Sequence, residues 1–386
     1  MSLINHKAYL SGRCSINYDE IPPLSSKAEL VVCDADDLLP FLSVLAAVVE
    51  GRKDFSAVLK ATDVPDKIIL DQKPTKGITI FSSGTTGVPK AFNVSWEKLM
   101  SRVSHRVVEG EFLASGYDKS RFAGLQGLLT CLRNKATFVD LSVDMNVASK
   151  VAIDRFIGTP SWFNFLLAKI GASNILGSEN VKSITLGGEA ADQLTISRLK
   201  KTFPNSVISQ IFASSEAGVL FNVKDELAGV AVAEALQFEM EGRLSWSTSL
   251  LEMSEGDVVE LLYFDDGKSK NAIPSGDFFK MIGGRLIFYG RDSDCITVGG
   301  QTVSLNELER VTNGYEGVLI SRASSVSSSV MGSVLKIDIV LETDALFDKV
   351  VFLKTIRREL GSQYIPASIK FVDQIKLNSN GKVIRA

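Results

Sequence analysis

Short apolar runs alternate with segments of helical spacing over the first three quarters of the chain. Because strands that alternate with helices are joined by crossover connections, this order predicts parallel sheet covered by helices. The predicted strands are residues 29–33, 77–81, 136–140, 181–186 and 207–212, and the predicted helices are residues 36–49, 95–111, 161–170 and 194–203.

The pattern changes from residue 244 onward, where strands and turn residues predict antiparallel pairs. Residues 258–263 have a strand pattern that is followed by Asp265-Asp266-Gly267, a turn signal. The serine-rich stretch 321–329 is predicted to form the tip of a hairpin. The chain therefore combines a helix-covered part with a later antiparallel part.

Glycines, hydroxyl side chains and one lysine follow the predicted strand 77–81. Glycine lets the backbone approach an anion, hydroxyl groups donate hydrogen bonds, and lysine adds a mobile positive charge. A loop of this composition at a strand end predicts a phosphate site, with an ordinary surface turn as the alternative. The candidate residues are Ser82, Ser83, Gly84, Thr85, Thr86, Gly87 and Lys90.

The order of residues in this loop excludes a Walker-type phosphate loop. That loop places its lysine directly after the last glycine, at the start of a helix. Here Val88 and Pro89 stand between Gly87 and Lys90, and Pro89 restricts Val88 to extended backbone. The string 81–90 instead resembles the phosphate loop of the acyl-adenylate-forming superfamily, which includes AMP-forming acyl-CoA synthetases, peptide-synthetase adenylation domains and luciferases.

A second resemblance lies at residues 211–216, which are similar to the family's aromatic-Gly-x-Thr-Glu motif. Ala213 stands in place of the glycine and Ser215 in place of the threonine. The resemblance implies that Phe212 packs on adenine, Ser215 contacts phosphate and Glu216 holds Mg²⁺. The alternative is an ordinary turn, because a strand that ends in Ser-Ser-Glu is, taken alone, more often followed by a turn than by a metal site.

Three more sites resemble nucleotide-binding parts of the family. The turn at Gly188 and Glu189 is similar to the segment that lines the acyl and adenine pocket. Ser275-Gly276-Asp277 resembles Thr-Gly-Asp, whose aspartate accepts hydrogen bonds from both ribose hydroxyls, and Arg291 resembles the arginine that contacts the same ribose. A surface turn with a salt bridge is the alternative.

The resemblance also implies a hinge and two domains. In the family the chain swivels just after this arginine, at a position that aligns with Ser293. We therefore expect an α/β protein with a large N-terminal domain of helix-covered mixed β-sheets, residues 1–291, in which the N-terminal subdomain is reduced. A hinge would join it to a small, mobile α+β C-terminal domain, residues 292–386.

Three segments of the predicted C-terminal domain have expected roles. Gly299 and Gly300 match the glycine-bearing hairpin that a phosphopantetheine arm can approach. Ser304 is predicted to cap a helix at residues 305–311, with Glu307 three positions later. Lys382 lies in an ending that resembles the family's Gly-Lys-x-x-Arg, which makes it the candidate adenylation lysine.

The implied reaction is ATP-dependent activation of a small carboxylic acid to an acyl-AMP, with release of pyrophosphate. Mg²⁺ on Glu216 and the charge of Lys90 would stabilise pyrophosphate, while Lys382 would bridge carboxylate and α-phosphate oxygens. A thiol then attacks the acyl-AMP. Family frequency favours CoA, and the phosphopantetheine thiol of an acyl carrier protein is the alternative. A nucleotide-binding protein without turnover is the alternative of another class.

The acyl pocket is predicted from three residues. Arg121 lies near the position of the family's usual pocket histidine, where it would face solvent or meet an acidic acyl substrate. Trp162 and Phe163 open a predicted helix that borders the acyl tunnel in the family, with a place in the protein core as the alternative. Together they predict a compact pocket for an aromatic or additionally acidic acid.

Composition narrows these expectations. A net charge of −3 over 386 residues shows no excess of positive charge, which is what nucleic-acid binding would favour. The longest apolar stretch, residues 38–49, contains Pro40 and is shorter than the ~20 residues that cross a bilayer. No secretory signal pattern is visible, so a cytoplasmic location is expected. The four cysteines form no Cys-x-x-Cys pair, and His6 and His105 support neither a zinc site nor a Ser-His-Asp triad.

Overall fold

The structure is a computed structural model, and it describes residues 7–12, 14–25, 29–60, 76–81, 91–214, 218–242, 244–264, 272–328, 332–342, 345–377 and 383. These residues fall into two compact units. The first contains the described residues of Met1–Thr159 together with Ile170–Ile184, and the second contains those of Pro160–Lys169 and Thr185–Leu377 together with Val383.

The first unit contains two sheets with helices. Its elements are β1 Lys7–Leu10, β2 Ser15–Asn17, β3 Leu30–Asp34, α1 Leu38–Val49, β4 Ser56–Lys60, β5 Gly77–Phe81, β6 Ala91–Ser95, α2 Trp96–Ser101, β7 Phe112–Ser115, α3 Phe122–Asn134, β8 Thr137–Asp140 and β9 Arg155–Gly158. One sheet has the order β3-β4-β5-β6 and the other contains β9-β7-β8-β1-β2. In each sheet the inner pairs are parallel and one edge strand, β6 or β2, is antiparallel.

Strand β5 lies in the interior of the first unit. β5 is buried along its whole length between β4 and β6. Helices α1 and α3 contribute Leu42, Leu45 and Leu128 to the same core cluster as Ile78 and Ile80 of β5. β5 therefore holds the chain firmly up to Phe81, the last described residue before the predicted phosphate loop.

The second unit is richer in antiparallel strands. Its elements are α4 Pro160–Ile170, β10 Ser183–Gly187, α5 Gln193–Thr202, β11 Val207–Ser214, β12 Gly218–Val223, β13 Val230–Ala231, α6 Val232–Met240, β14 Leu244–Trp246, β15 Val258–Phe264, β16 Ala272–Ile282, β17 Arg285–Arg291, β18 Cys295–Val298, β19 Gln301–Ser304, α7 Leu305–Asn313, β20 Val318–Ser328, β21 Gly332–Leu341, α8 Lys349–Leu360 and β22 Ser368–Phe371. The end of α4 and the start of β10 belong to the first unit.

Two sheets of the second unit position the candidate site. One has the order β13-β17-β16-β15-β14 and is antiparallel throughout. The other has the order β19-β18-β21-β20, with β22 parallel to β21, and α7 and α8 supply Leu308, Phe352 and Ile356 to its core.

Short 3₁₀ turns occur in both units. They lie at Tyr18–Glu20, Met145–Ser149, Ala172–Asn174, Ser178–Asn180, Leu250–Glu252, Asp292–Asp294 and Ser362–Tyr364.

The α/β fold class with mixed sheets and helices is confirmed, but two local predictions are wrong. The helix predicted at 95–111 ends at Ser101, although Val103 and Val107 are buried as their spacing indicated. Serines and valines follow Ser101, and these residues are weaker helix formers than the preceding turn. Residues 321–328 of the serine-rich stretch do not form a hairpin tip, because they lie in β20 and pair with β21, and Ser329 lies outside the described residues. The predicted boundary between residues 291 and 292 stays a prediction.

Among the residues that the structure describes, no helix is both long and apolar enough to cross a membrane.

Candidate functional site

The candidate residues divide into those that the structure describes and those outside its described ranges. The phosphate loop from Ser82 to Gly87, Lys90, Ser215, Glu216 and Lys382 lie outside the described residues, so their predicted roles stay predictions. The described candidates for contact with nucleotide or thiol all belong to the second unit: Gly188, Glu189, Phe212, Asp277, Arg291, Gly299 and Gly300.

Asp277 and Arg291, the predicted ribose pair, are cross-strand partners. They lie opposite each other in the register of β16 and β17, and Arg291 Nε donates to Asp277 Oδ1 at 2.7 Å. Asp277 is only 3% exposed, whereas the Arg291 side chain is 53% exposed. The pair therefore presents a buried acceptor beside a donor that solvent reaches.

The turn before Asp277 is held by hydrogen bonds to its backbone. Ser275 Oγ accepts from the Asp277 amide at 3.0 Å, and Glu260 Oε1 accepts from the Gly276 amide at 2.9 Å. Asp277, Arg291, Tyr263 and Ser293 are among the residues that line an open pocket of ≈ 330 Å³. The predicted hinge position, Ser293, thus lies in the wall of the same pocket as the predicted ribose pair.

Phe212, the predicted adenine-packing ring, lies in a cluster of aromatic side chains. Its ring stacks on Phe221 with a centroid distance of 4.8 Å and an interplanar angle of 9°, and it meets Phe279 edge-on at 5.3 Å. Phe212 is half-buried. A ring that stacks on one face can accept a base only on its opposite face, so the cluster fixes the orientation in which Phe212 would meet adenine.

Glu189 contacts two backbone amides from distant parts of the chain. Its Oε2 accepts from Ser161 N near the start of α4, and its Oε1 accepts from Val383 N, each at 3.2 Å. Gly188 has φ +81°, a left-handed conformation that glycine adopts without strain. The turn after β10 therefore brings the Glu189 carboxylate to the residue that follows Lys382 in the sequence.

Gly299 and Gly300 form the tight turn between β18 and β19, as the sequence predicted. Their φ angles are +55° and +82°, and the flanking strands pair from Val298–Gln301 to Cys295–Ser304. Two consecutive left-handed residues are typical of a two-residue hairpin loop, which explains both glycines by backbone conformation. Their predicted role beside a phosphopantetheine arm stays a prediction.

Contacts across the predicted hinge join β16 to α7. Lys280 forms an ion pair with Glu307 at 2.8 Å, and Glu307 is 4% exposed. Tyr364 donates its hydroxyl to Glu307 Oε2 at 2.8 Å and accepts from Ser304 N at 3.0 Å. Burial raises the pKa of Tyr364 well above its usual range, which keeps the hydroxyl protonated as a donor. This network fixes the position of α7 against the antiparallel sheet that contains β16 and β17.

Ser304 caps the start of α7 as predicted, but Glu307 does not add the reciprocal hydrogen bond that would complete a capping box. Ser304 Oγ accepts from Glu307 N at 3.2 Å, as expected for an N-cap. Glu307 does not close a capping box in the described contacts, because its carboxylate is held by Lys280 and Tyr364 instead. The same helix start is bonded to the preceding sheet, since Ser304 Oγ also donates to the Tyr289 carbonyl.

The three residues of the predicted acyl pocket are buried and contact other parts of the protein. Arg121 is 3% exposed and its Nη1 donates to the Phe81 carbonyl at 2.6 Å, so the solvent-facing alternative is wrong. Trp162 and Phe163 are 2% and 0% exposed, and their rings meet edge-on at 4.9 Å. Arg121 thus fixes the strand end before the phosphate loop, and both aromatic residues belong to the core. The compact pocket stays a prediction.

Several residues around the site were missed by sequence reasoning. Glu260 could have been identified from the sequence, because it is a carboxylate inside the apolar run 258–263. Ser161 and Tyr364 could not have been identified, since Ser161 acts through its backbone amide and Tyr364 through its hydroxyl, in both cases with residues far away in the sequence. Within the described ranges no group of three or more His, Cys, Asp or Glu side chains could hold a metal ion, and Glu216 lies outside them.

Comparison with known proteins identifies the family. The family model described as AMP-binding enzyme matches residues 24–236, more than half of the chain. Tyrocidine synthase 3 from Brevibacillus parabrevis is 25% identical over 403 residues, which cover 93% of this chain and 6% of that protein. The D-alanine–D-alanyl carrier protein ligase of Staphylococcus epidermidis is 24% identical over 371 residues, covering 85% of this chain and 75% of the ligase.

A solved structure shares the fold. The o-succinylbenzoate CoA synthetase of Bacillus subtilis, in complex with its acyl-adenylate intermediate, matches with a TM-score of 0.62 and 14% identity, covering 100% of this chain and 95% of that one. The chain thus spans nearly all of that structure but only a small part of tyrocidine synthase 3. On the extent of the family match, the chain belongs to the AMP-binding enzyme family.

Proposed function

We propose that this chain is an adenylate-forming ligase, which joins a carboxylic acid to the AMP part of ATP and releases pyrophosphate. The observation that carries the proposal is the Asp277–Arg291 pair in the wall of the pocket. A carboxylate only accepts hydrogen bonds and a guanidinium only donates them, whereas each ribose hydroxyl does both. The pair therefore suits two neighbouring ribose hydroxyls.

The burial of Asp277 supports the same assignment. Asp277 is fixed by β16, by the Ser275 turn and by Arg291, so little side-chain freedom is lost when a ligand binds. The half-exposed Arg291 side chain can also contact the ligand from the open side of the pocket. A simple surface salt bridge would not require a carboxylate that is 3% exposed.

The chemistry follows from charge. A carboxylate oxygen attacks the α-phosphorus of ATP, a new O–P bond forms, and the bond to the β-phosphate oxygen breaks as pyrophosphate leaves. The three reacting groups are anionic, so positive charge must be placed among them. We assign this role to Lys382 at the carboxylate and α-phosphate and to Lys90 at the departing pyrophosphate. Glu216 is the residue proposed to hold Mg²⁺.

A thiol is proposed to take the acyl group in a second step. The sulfur attacks the acyl carbon, a thioester forms and AMP leaves. The name of the Bacillus subtilis synthetase favours CoA as the thiol, and the name of the Staphylococcus epidermidis ligase favours a carrier protein. We propose CoA as the acceptor and keep the carrier phosphopantetheine as the second candidate.

Pyrophosphate release with a panel of carboxylic acids tests the first step. The panel contains D-alanine, aryl acids, dicarboxylic acids and long-chain fatty acids, with Lys382→Ala as the variant in which release should stop. CoA or a phosphopantetheine-bearing carrier protein is then added to the mixtures that respond, and thioester is measured. Highest release with long-chain fatty acids would contradict the compact acyl pocket while leaving adenylation intact. ATP binding without release for any acid would favour a binding protein without turnover.

A further inference from the structure

The Glu189 carboxylate joins two backbone segments that are far apart in the sequence. Its contact with Val383 N spans 194 positions and its contact with Ser161 N spans 28. Each oxygen accepts one amide proton, so both ends of the carboxylate are engaged by the protein itself. This differs from a residue whose only role is to line a ligand pocket.

The Ser161 contact fixes Glu189 to a rigid element. Ser161 is the second residue of α4, where backbone N–H groups have no partner within the helix. A carboxylate near a helix N-terminus is stabilised by hydrogen bonding and by the helix dipole. The remaining oxygen is therefore held at a defined place beside the Gly188 turn.

The Val383 contact fixes a short segment of the C-terminal part. Val383 forms an antiparallel bridge with Leu377, and its side chain packs against the cluster of Ile320, Val340 and Ile375. The side chain thus belongs to the C-terminal sheet, while the backbone amide is bound by Glu189. Lys382 immediately precedes this amide in the sequence.

We propose that Glu189 is a positioning residue that docks the backbone beside Lys382 for the adenylation step. The inference rests on the proposed function, because it assumes that Lys382 acts in that step. Holding the backbone at Val383 restricts where the neighbouring lysine can reach, and a positioned charge is more effective than one that must be ordered during the reaction. The thioester step does not use Lys382 and needs no such contact.

The test compares Glu189→Ala, Glu189→Gln and wild type in the two half-reactions. Glu189→Ala should lower kcat for pyrophosphate release on the order of tenfold, the effect of losing one charge-assisted hydrogen bond. The KM for ATP should change by less than about twofold, since both carboxylate oxygens of Glu189 are engaged by backbone amides. Thioester formation from a synthetic acyl-adenylate should keep the wild-type rate. Glu189→Gln retains one acceptor oxygen and should recover part of the lost rate.

Hydrogen exchange gives a readout of the contact that does not depend on activity. Amide exchange in the peptide that contains Val383 should be faster in Glu189→Ala than in wild type. Glu252→Ala removes an exposed carboxylate from the same unit and should change neither exchange there nor kcat. Unchanged exchange in Glu189→Ala, or a raised KM for ATP with unchanged kcat, would overturn the positioning role.

A different result would reject the proposed function. Absence of pyrophosphate release by wild type with every acid would reject adenylation, and with it the positioning of Lys382 for that step. Faster exchange in Glu189→Ala would then still demonstrate the Glu189–Val383 contact in solution. The two failures are therefore distinguished by activity of the wild type and by exchange in the variant.

Discussion

Arg291 and Asp277 face each other across two neighbouring strands, and the oxygen of the buried partner lies 2.7 Å from the nitrogen of the half-exposed one. The two positions are 14 residues apart and are brought together by the hairpin of β16 and β17. The geometry therefore depends on strand register, and a change at either residue acts on a preformed pair.

Asp277→Ala should weaken ATP binding by ~1–3 kcal/mol, because it removes the acceptor proposed for the ribose hydroxyls. Isothermal titration calorimetry measures the change in Kd. Asp373→Ala, which removes an exposed carboxylate outside the pocket, is the control and should bind ATP as wild type does. Equal affinities for Asp277→Ala and wild type would reject the ribose assignment.

Lys382→Ala should abolish acyl-AMP formation while ATP affinity and Tm remain near wild type. The expected loss follows from removal of the charge between carboxylate and α-phosphate. Lys376→Ala removes an exposed lysine six positions earlier and is the matched control. Release of pyrophosphate by Lys382→Ala at the wild-type rate would exclude this lysine from the mechanism.

Tyr364→Phe should lower the free energy of unfolding by about 1–3 kcal/mol, because Glu307 loses a buried donor and Ser304 N loses its acceptor. Urea unfolding at pH 7 measures the change. Tyr315→Phe removes a hydroxyl that donates to the Asp348 carbonyl near the surface, so its effect should be smaller. A larger loss for Tyr315→Phe would contradict the importance of the Tyr364 network.

Glu111→Gln should destabilise the first unit in a pH-dependent way. Burial raises the pKa of Glu111, but hydrogen bonds from Arg155 and Lys182 outweigh it and bring the pKa from 4.5 to about 2. A lowered pKa in the folded state stabilises the protein above pH 4.5, and this stabilisation is lost as the pH falls toward 2. The wild type should exceed Glu111→Gln by roughly 3 kcal/mol at pH 7.

Urea unfolding at pH 7, 4 and 3 tests this expectation, with an exposed glutamate change such as Glu97→Gln as the control. The difference between wild type and Glu111→Gln should shrink at the two lower pH values. A difference that stays constant from pH 7 to pH 3 would show that Glu111 acts by packing and not by its charge.

The fold was predictable where a local pattern decides the structure. β5 and α5 lie within a residue or so of their predicted bounds, since each has an apolar run or periodic face between clear ends. The helix predicted from residue 95 was too long, because burial of Val103 and Val107 mimics helical spacing in irregular backbone. The spacing of apolar residues therefore predicts which side chains are buried more reliably than it predicts the backbone conformation between them.

The site was predictable where motifs lie on adjacent strands and not where distant segments meet. Asp277 and Arg291 share a hairpin, so their pairing follows from two short motifs and one turn. The contact between Glu189 and Val383 depends on the packing of the C-terminal sheet, which no local pattern encodes. Arg121 shows the same limit, because its partner is a backbone carbonyl that carries no sequence signal.

The separation of 194 positions between Glu189 and Val383 also has a consequence for biosynthesis. At the usual rate of translation, Glu189 is synthesised ~10–40 s before Val383. The sheets built from earlier residues have time to form in that interval, whereas the Glu189–Val383 contact must wait. During translation, the arrangement that we assign to adenylation is therefore acquired later than the sheets that precede Val383 in the sequence.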